Sequence, residues 1–403
     1  MSFLTSLAII FLSALILGTL FKKIKLPPLI GMLIAGIALG PHFLNMISPG
    51  ILGISADLRQ FALIVILTRA GLSLTTADLK KVGRPALLLC FLPASFEILG
   101  YMIFAPLLLH LTIAESALMG AVMGAVSPAV VVPRMLKIQK EGYGTDKGIP
   151  QMITAGSSCD DVFVIVLFTA LLATVKTGDF DFGILWRVPV SIALGTAVGL
   201  LTGFFLSLLF RRFRMRDTIK IMLLLSLSFL FVALEDACNN YVPFSGLIAV
   251  ISLGIMFNIK SAERSERLSA RYEKLWVFAE VLLFVLVGAE VDISYAVSSF
   301  GIVASVMIAA LVCRMAGVFL CLVKTGLCFK ERLFCAVAYI PKATVQAAIG
   351  AIPLSLGLPC GKLILTCAVL AIFITAPVGA FVIDLSYKRC LSASEDACAP
   401  HRV

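Results

Sequence analysis

Residues 155–168 read Ala-Gly-Ser-Ser-Cys-Asp-Asp-Val-Phe-Val-Ile-Val-Leu-Phe, so two adjacent carboxylates interrupt an otherwise apolar helical segment. The segment begins near Ile149, which puts Asp160 and Asp161 roughly 18 Å along it, close to the middle of a bilayer. An ionised aspartate at that depth costs about 2.5–3.5 kcal/mol. The pair is tolerable only if it faces a wet cavity, meets a cation or is partly protonated. Because helix neighbours point about 100° apart, one aspartate can face a cavity while the other faces a partner helix.

The composition is that of a membrane protein with many spans. Of the 403 residues, 60% are apolar and only 14% are charged, against about 25% charged in soluble domains. The net charge of +10 comes from Lys and Arg residues dispersed over short connections. That pattern indicates membrane topology and not nucleic-acid binding.

Apolar runs and the residues that break them predict an all-α polytopic membrane protein with about thirteen spans. The predicted spans are residues 3–20, 27–40, 58–76, 85–110, 115–136, 149–176, 185–210, 218–236, 242–258, 274–292, 298–323, 330–351 and 362–385. We expect one membrane transporter unit over 1–403.

The connections carry a strong charge asymmetry. Nearly all Lys and Arg residues outside the spans fall on one side, and only Arg59, Lys176, Arg187 and Lys362 fall on the other. Since positive connections stay in the cytoplasm, the N-terminus is predicted outside a cell (inner) membrane. Residues 386–403 are then expected to form a short cytoplasmic tail.

The chain also repeats itself. Three motifs recur seven spans later: residues 28–35 resemble 243–249, 67–74 resemble 286–293, and 127–131 resemble 340–345. An odd displacement means that the second copy crosses the membrane in the opposite direction. We therefore expect a first repeat over 1–176, a linker helix at 185–210 and an inverted second repeat over 218–385.

Prolines interrupt equivalent spans of the two repeats. Pro128, Pro133 and Pro341 lack an amide donor, so each leaves the carbonyl four residues earlier without its usual helix partner. Freed carbonyls at membrane depth are tolerated only within protein or beside water. A simple kink would explain any one proline, whereas breaks in both repeats favour a crossed pair of interrupted helices.

Five ionisable side chains share one predicted layer of the membrane. Counted from the cytoplasmic ends of their spans, they lie roughly 14–18 Å deep; they are Glu97, Asp160, Asp161, Arg314 and Lys342. Glu97 and Arg314 occupy equivalent spans of the two repeats, so we expect a structural ion pair between them. Lys342 is then left to face the aspartates.

Such a layer predicts a site for a small hard cation. Paired carboxylates, freed carbonyls and the hydroxyls of Thr154, Ser157 and Ser158 form an all-oxygen set, although the two serines could equally bond to their own helix. A buried carboxylate can be neutralised either by a proton or by a metal ion, which is the basis of coupled exchange. The sequence has no phosphate-binding loop of the GxxxxGK[ST] type, and we expect neither enzyme activity nor a cofactor.

Four motifs together carry a family resemblance. They are the aspartate pair after 156–158, the segment 124–133, the turn 141–144 and the segment 341–350. They resemble the monovalent cation:proton antiporter superfamily, and most closely its NHA-type sodium/proton exchangers.

The resemblance implies a homodimer in lipid, with residues 1–136 and 242–351 contributing dimerisation and core helices. It also implies that a mobile core moves as an elevator and exchanges Na⁺ or Li⁺ for H⁺. Asp161 takes the role of ion and proton carrier, with Asp160 as its neighbour in the Na⁺ site. The matching motifs add Ser127, Lys342 and Gln346 as supporting residues.

Arg314 departs from the pattern of electrogenic two-aspartate relatives, which resemble this chain but carry a lysine there. An arginine hardly ever loses its proton, so the departure favours electroneutral exchange, with Lys342 as the remaining candidate for a titrating base. The alternatives left open are K⁺/H⁺ antiport and sodium-coupled uptake of an organic anion. An intramembrane aspartyl protease is disfavoured, because its two acids must converge from different helices.

Overall fold

The computed structural model describes residues 2–73, 76–177, 182–213, 215–238 and 242–393, and within these ranges it omits the side chains of 76–82, 158, 177, 182–189 and 236. Every regular secondary-structure element in the described ranges is a helix. The one isolated β-bridge of these ranges joins Tyr143 to Ala393. The prediction of an all-α fold is confirmed.

The helices of the described ranges follow in chain order. They are α1 (Phe3–Lys23), α2 (Pro28–Leu39), α3 (Pro49–Gly53), α4 (Ser55–Ser73), α5 (Thr76–Leu89), α6 (Leu92–Leu109), α7 (Ile113–Met123), α8 (Pro128–Lys140), α9 (Ile149–Thr177), α10 (Phe182–Arg212), α11 (Asp217–Cys238), α12 (Gly246–Lys260), α13 (Ala262–Ala289), α14 (Ile293–Cys321), α15 (Phe329–Ala338), α16 (Thr344–Gly350), α17 (Ile352–Ser355) and α18 (Gly361–Cys390).

Each predicted span coincides with a helix or with a pair of helices. Among the described residues, eight helical segments are long and apolar enough to cross a membrane, and shorter apolar helices cover Pro28–Leu39, Gly246–Lys260 and Thr344–Ser355. The protein is therefore an integral membrane protein that crosses the bilayer several times.

The chain folds into two compact units. The first comprises Met1–Gly53, Ala77–Val164 and Phe284–Val403, and the second comprises Ile54–Thr76 and Ile165–Leu283. Within the first unit, α6 packs closely along α14. A Cβ atom on Gly100 of α6 would lie 2.9 Å from the Cα atom of Ala310 and 3.2 Å from Cys313, so the absence of a side chain sets this approach.

The second unit contains a glycine stripe on α10. Gly195, Gly199 and Gly203 recur every four residues, so they share one face of the helix. A Cβ atom at each position would overlap a backbone carbonyl of the segment that leads into and forms α12. These glycines allow the two backbones to touch, which is a common way of packing helices in lipid.

Two spans of the first unit are interrupted. Residues 124–127 separate α7 from α8, and residues 339–343 separate α15 from α16. Pro128 is the first residue of α8, where its missing amide costs nothing, and Pro341 lies in the second unwound segment. Both interruptions fall where the sequence predicts them.

The predicted break at Pro133 is wrong, because α8 runs through this residue to Lys140. A proline here removes one backbone hydrogen bond. The guanidinium of Arg134 donates to the carbonyl of Val130 at 2.9 Å, so the same helical turn gains a hydrogen bond from a side chain. The helix continues past the proline although Pro133 has no amide to donate to the carbonyl of Ala129.

Candidate ion-binding site

The two unwound segments of the first unit cross each other and are joined by hydrogen bonds. The amide of Ser127 donates to the carbonyl of Pro341 at 2.8 Å. Gln346 spans the crossing, because its Nε2 atom donates to the carbonyl of Ala125 at 2.8 Å and its Oε1 atom accepts from the amide of Ala343 at 2.8 Å. Backbone groups that a continuous helix would satisfy are thus satisfied by the opposite segment and by one glutamine.

Other backbone groups of the crossing are satisfied by residues from neighbouring helices. The Oγ1 atom of Thr375 accepts from the amide of Lys342 at 2.9 Å, and Nε of Arg314 donates to the carbonyl of Tyr339 at 2.8 Å. The carbonyl of Gly124, predicted to be freed by Pro128, accepts from Nη1 of Arg314. The carbonyl of Gly124 is therefore satisfied by the guanidinium of Arg314.

Arg314 on α14 links two carboxylates. Its Nη1 atom lies 2.8 Å from Oε2 of Glu97 on α6, and its Nη2 atom lies 2.9 Å from Oδ2 of Asp160 on α9. The amide of Val126 also donates to Oδ2 of Asp160, at 2.9 Å. All three charged side chains are buried. The expected Glu97–Arg314 contact is present, and Asp160 joins it.

Lys342 contacts Glu97 and not the aspartates that it was predicted to face. Its Nζ atom donates to Oε2 of Glu97 at 2.6 Å and to the carbonyl of Met123 at 2.5 Å, and no described hydrogen bond joins it to Asp160 or Asp161. Oδ2 of Asp160 accepts instead from Nη2 of Arg314 and from the amide of Val126, and Oε2 of Glu97 accepts from both cations. Lys342 therefore completes the charge pairing at Glu97.

Asp161 differs from the other four charged side chains of this layer in its exposure and in its contacts. Its side chain is 7% exposed, while Asp160 and Glu97 are 0% exposed. Its Oδ1 atom has no hydrogen-bond partner and its carboxylate has no ion-pair partner among the described residues. A cation or a proton could therefore bind here without displacing a resident partner.

Further buried oxygen atoms of the crossing lack a partner among the described residues. They are Oδ1 of Asp160, Oγ of Ser127, Oγ1 of Thr344 and the hydroxyl of Tyr339. An unsatisfied buried polar atom costs about 1–3 kcal/mol. Because these unpartnered atoms are hard oxygen ligands, they could bind water or a small alkali cation. Thr344 and Tyr339 were missed by the sequence reasoning, although both flank the segment around Pro341.

Two of the predicted supporting hydroxyls bond to their own helix. Oγ1 of Thr154 donates to the carbonyl of Pro150 at 2.8 Å, and Oγ of Ser157 donates to the carbonyl of Thr154 at 3.1 Å. These are the back-bonding contacts that hydroxyl side chains make in helices. The side chain of Ser158 lies outside the described residues.

A multi-pass protein with two crossed, interrupted helices and buried charges at the crossing has the architecture of a secondary transporter. Residues 10–385 match the family described as "Sodium/hydrogen exchanger, transmembrane". The chain belongs to this family. The resemblance to cation:proton antiporters seen in the sequence is confirmed.

Relatives in animals match nearly the whole chain. Sodium/hydrogen exchanger 9B2 of Mus musculus is 34% identical over 414 residues, which cover 97% of this chain and 74% of that protein. Sodium/hydrogen exchanger 9B1 of Homo sapiens is 33% identical over 411 residues, which cover 98% of this chain and 79% of that protein.

A solved structure shares the fold. The sodium proton antiporter MjNhaP1 from Methanocaldococcus jannaschii at pH 8 superimposes with a TM-score of 0.82, covering 97% of this chain and 99% of that one. The two sequences are only 20% identical, so this similarity supports a shared fold and nothing further.

Proposed function

We propose that this protein exchanges Na⁺ or Li⁺ for H⁺, and that the two ions compete for the carboxylate of Asp161. The observation that carries the proposal is the contrast between the two aspartates. Asp160 is held by Arg314 at 2.9 Å, whereas Asp161 has no cationic partner among the described residues. An alkali ion or a proton bound at Asp161 would supply the missing positive charge.

The charges of the layer support an exchange of one ion for one proton. Glu97, Asp160 and Asp161 carry three negative charges when ionised, and Arg314 and Lys342 carry two positive charges, so the empty layer has a net charge of about −1. One Na⁺ or one H⁺ brings it to zero. Since moving an uncompensated charge through the bilayer is costly, only the two loaded forms would cross readily, and the exchange would be electroneutral.

Neither base is free to act as a second proton carrier. Arg314 has a very high intrinsic pKa, and it donates to two carboxylates and two carbonyls. Lys342 uses its ammonium hydrogens on Glu97 and on the carbonyl of Met123, and giving up a proton would weaken both bonds. The proposal therefore assigns the transported proton to Asp161 alone.

We further propose an elevator-type movement in a homodimer, with the N-terminus outside and the C-terminus in the cytoplasm of the cell membrane. All five charged side chains of the layer belong to the first compact unit. Their hydrogen bonds join α6, α9, α14 and the two unwound segments, which favours transport of the site as one piece. The charge asymmetry of the connections supports the orientation.

Reconstituted protein tests the exchange directly. In liposomes with an acidic lumen, added Na⁺ or Li⁺ should alkalinise the lumen, and Asp161→Asn should abolish the response. Asp146→Asn, a change of an exposed carboxylate in the connection before α9, is the matched control and should transport normally. A K⁺ response equal to the Na⁺ response would overturn the ion assignment in favour of K⁺/H⁺ antiport.

A potential-sensitive dye tests the stoichiometry in the same liposomes. One-for-one exchange should generate no membrane potential, and a potential that grows with transport would contradict it. Chemical cross-linking in detergent and in liposomes tests the dimer, for which a single cross-linked band of twice the chain mass is expected.

A further inference from the structure

A small cavity opens where α5 and two connections of the first unit meet, away from the charged layer. It has a volume of about 260 Å³. Three cationic side chains line it, namely Arg84 from α5, Lys147 from the connection before α9 and Lys324 from the connection after α14. Thr325 and Met152 are among its other lining residues.

The cavity carries an excess of positive charge. Nζ of Lys147 lies 2.9 Å from both carboxylate oxygens of Glu331, and this hydrogen bond raises the pKa of Lys147 above its ordinary value. Arg84 and Lys324 have no ion-pair partner among the described residues. The three lining cations and Glu331, when ionised, sum to about +2, and Asp146, which also interacts with Lys147, is exposed to solvent.

The turn that presents Lys324 is unusual. This residue has φ of 63°, and Gly326 has φ of 69°. Left-handed backbone costs a non-glycine residue about 1–2 kcal/mol. The hydroxyl of Thr325 donates to the carbonyl of Leu322 at 2.7 Å, which helps to hold the turn. A lysine is thus kept in a conformation that favours glycine, at the edge of the cavity.

We propose that this cavity binds a phosphate monoester group through Arg84, Lys147 and Lys324. A phosphate monoester is close to dianionic at neutral pH, which matches the charge of the cavity. Arginine offers two parallel donors to phosphate oxygens, and lysines add point charges. The volume equals that of about nine water molecules, enough for the phosphate group and for the first atoms of its ester.

Membrane topology by itself does not account for the cluster. Positive residues in these connections follow from the rule that keeps Lys and Arg in the cytoplasm. That rule does not require one helix and two separate connections to turn their cations toward one cavity. The phosphate could belong to a lipid headgroup or to a soluble compound, since both present the same chemistry.

The cavity lies at the ends of the helices that carry the central ion pair. Met152 is on α9, the helix of Asp160, and Cys321, another lining residue, ends α14, the helix of Arg314. A bound phosphate would link these helix ends to α5. The binding proposal does not depend on which ions the carrier moves.

The test measures thermal unfolding of the full chain in detergent, without transport. N-methylglucamine phosphate is compared with N-methylglucamine chloride at equal ionic strength, so that no alkali ion is present. In a second arm, phosphatidic acid is compared with phosphatidylcholine in the same micelles. We expect at least one of the two phosphates to raise the melting temperature by about 2 °C or more at saturation.

Variants locate the effect. The double variant Arg84→Ala with Lys324→Ala should lose the shift, whereas Lys330→Ala, which removes an exposed cation of α15 outside the cavity, should keep it. If the double variant does not fold, Lys324→Gln alone should reduce the shift at subsaturating phosphate by at least half.

The outcomes separate the sources. A shift with inorganic phosphate alone indicates a soluble ligand, a shift with phosphatidic acid alone indicates a lipid headgroup, and a shift with both indicates a cavity that binds the phosphate group from either source. The proposal is overturned if neither phosphate shifts the melting temperature, or if the cavity variants respond like the wild type.

Discussion

Replacing Glu97 by Gln tests the charge pairing at the core of the site. The carboxylate is fully buried and accepts from Arg314 at 2.8 Å and from Lys342 at 2.6 Å. Glutamine has nearly the same volume and retains one oxygen, so the change removes charge and little packing. Arg314 keeps Asp160, but Lys342 loses its only ionic partner among the described residues. An unpaired buried ion costs about 3–5 kcal/mol, and we expect a loss of stability of that size.

The assay is unfolding of the purified protein by denaturing detergent, followed by tryptophan fluorescence. Glu263→Gln, at an exposed position of α13, is the control for loss of one carboxylate and should change stability by less than about 0.5 kcal/mol. Adding Lys342→Met to Glu97→Gln removes the stranded cation and should recover most of the loss. Wild-type stability in Glu97→Gln, or a double variant less stable than the single one, would refute the pairing.

Three further outcomes are expected. If one proton and one cation compete for one carboxylate, the apparent Na⁺ affinity should fall by up to about tenfold for each unit of falling pH. Initial transport rates over a series of Na⁺ concentrations measure this affinity. Simultaneous binding of both ions would contradict the competition. Gln346→Leu should unfold at lower detergent than the wild type, because each stranded backbone group costs about 1–3 kcal/mol. Gly199→Val should prevent recovery of monodisperse protein by size-exclusion chromatography, because its side chain would strike the Ala249 carbonyl, whereas Gly301→Val, with nothing within 4 Å, should behave as wild type.

The membrane class and the position of the interrupted helices were readable from the sequence. Both depend on local signals: apolar length sets the spans, and Pro128 and Pro341 remove amide donors within them. The same rule failed at Pro133, where α8 loses one backbone hydrogen bond and still continues to Lys140. A proline inside a membrane helix is tolerated when its surroundings accommodate the lost bond, which a local rule does not contain.

The burial of the five charged residues also followed from the sequence, since each lies well inside an apolar span. Their pairing did not. Lys342 bonds to Glu97 instead of the aspartates, Arg314 links Glu97 to Asp160, and Gln346 braces the crossing.

Partner choice was decided by the tertiary structure alone, for a geometric reason. Each residue along a helix turns the side chain by about 100°, so the rotation and crossing of neighbouring helices determine which groups come within 3 Å. The sequence by itself determined that charged residues would be buried inside apolar spans and that Asp160 and Asp161 would face different surroundings. Only the packing of α6, α9, α14 and the unwound segments decided that Asp160 contacts the arginine and that Asp161 has no charged partner among the described residues.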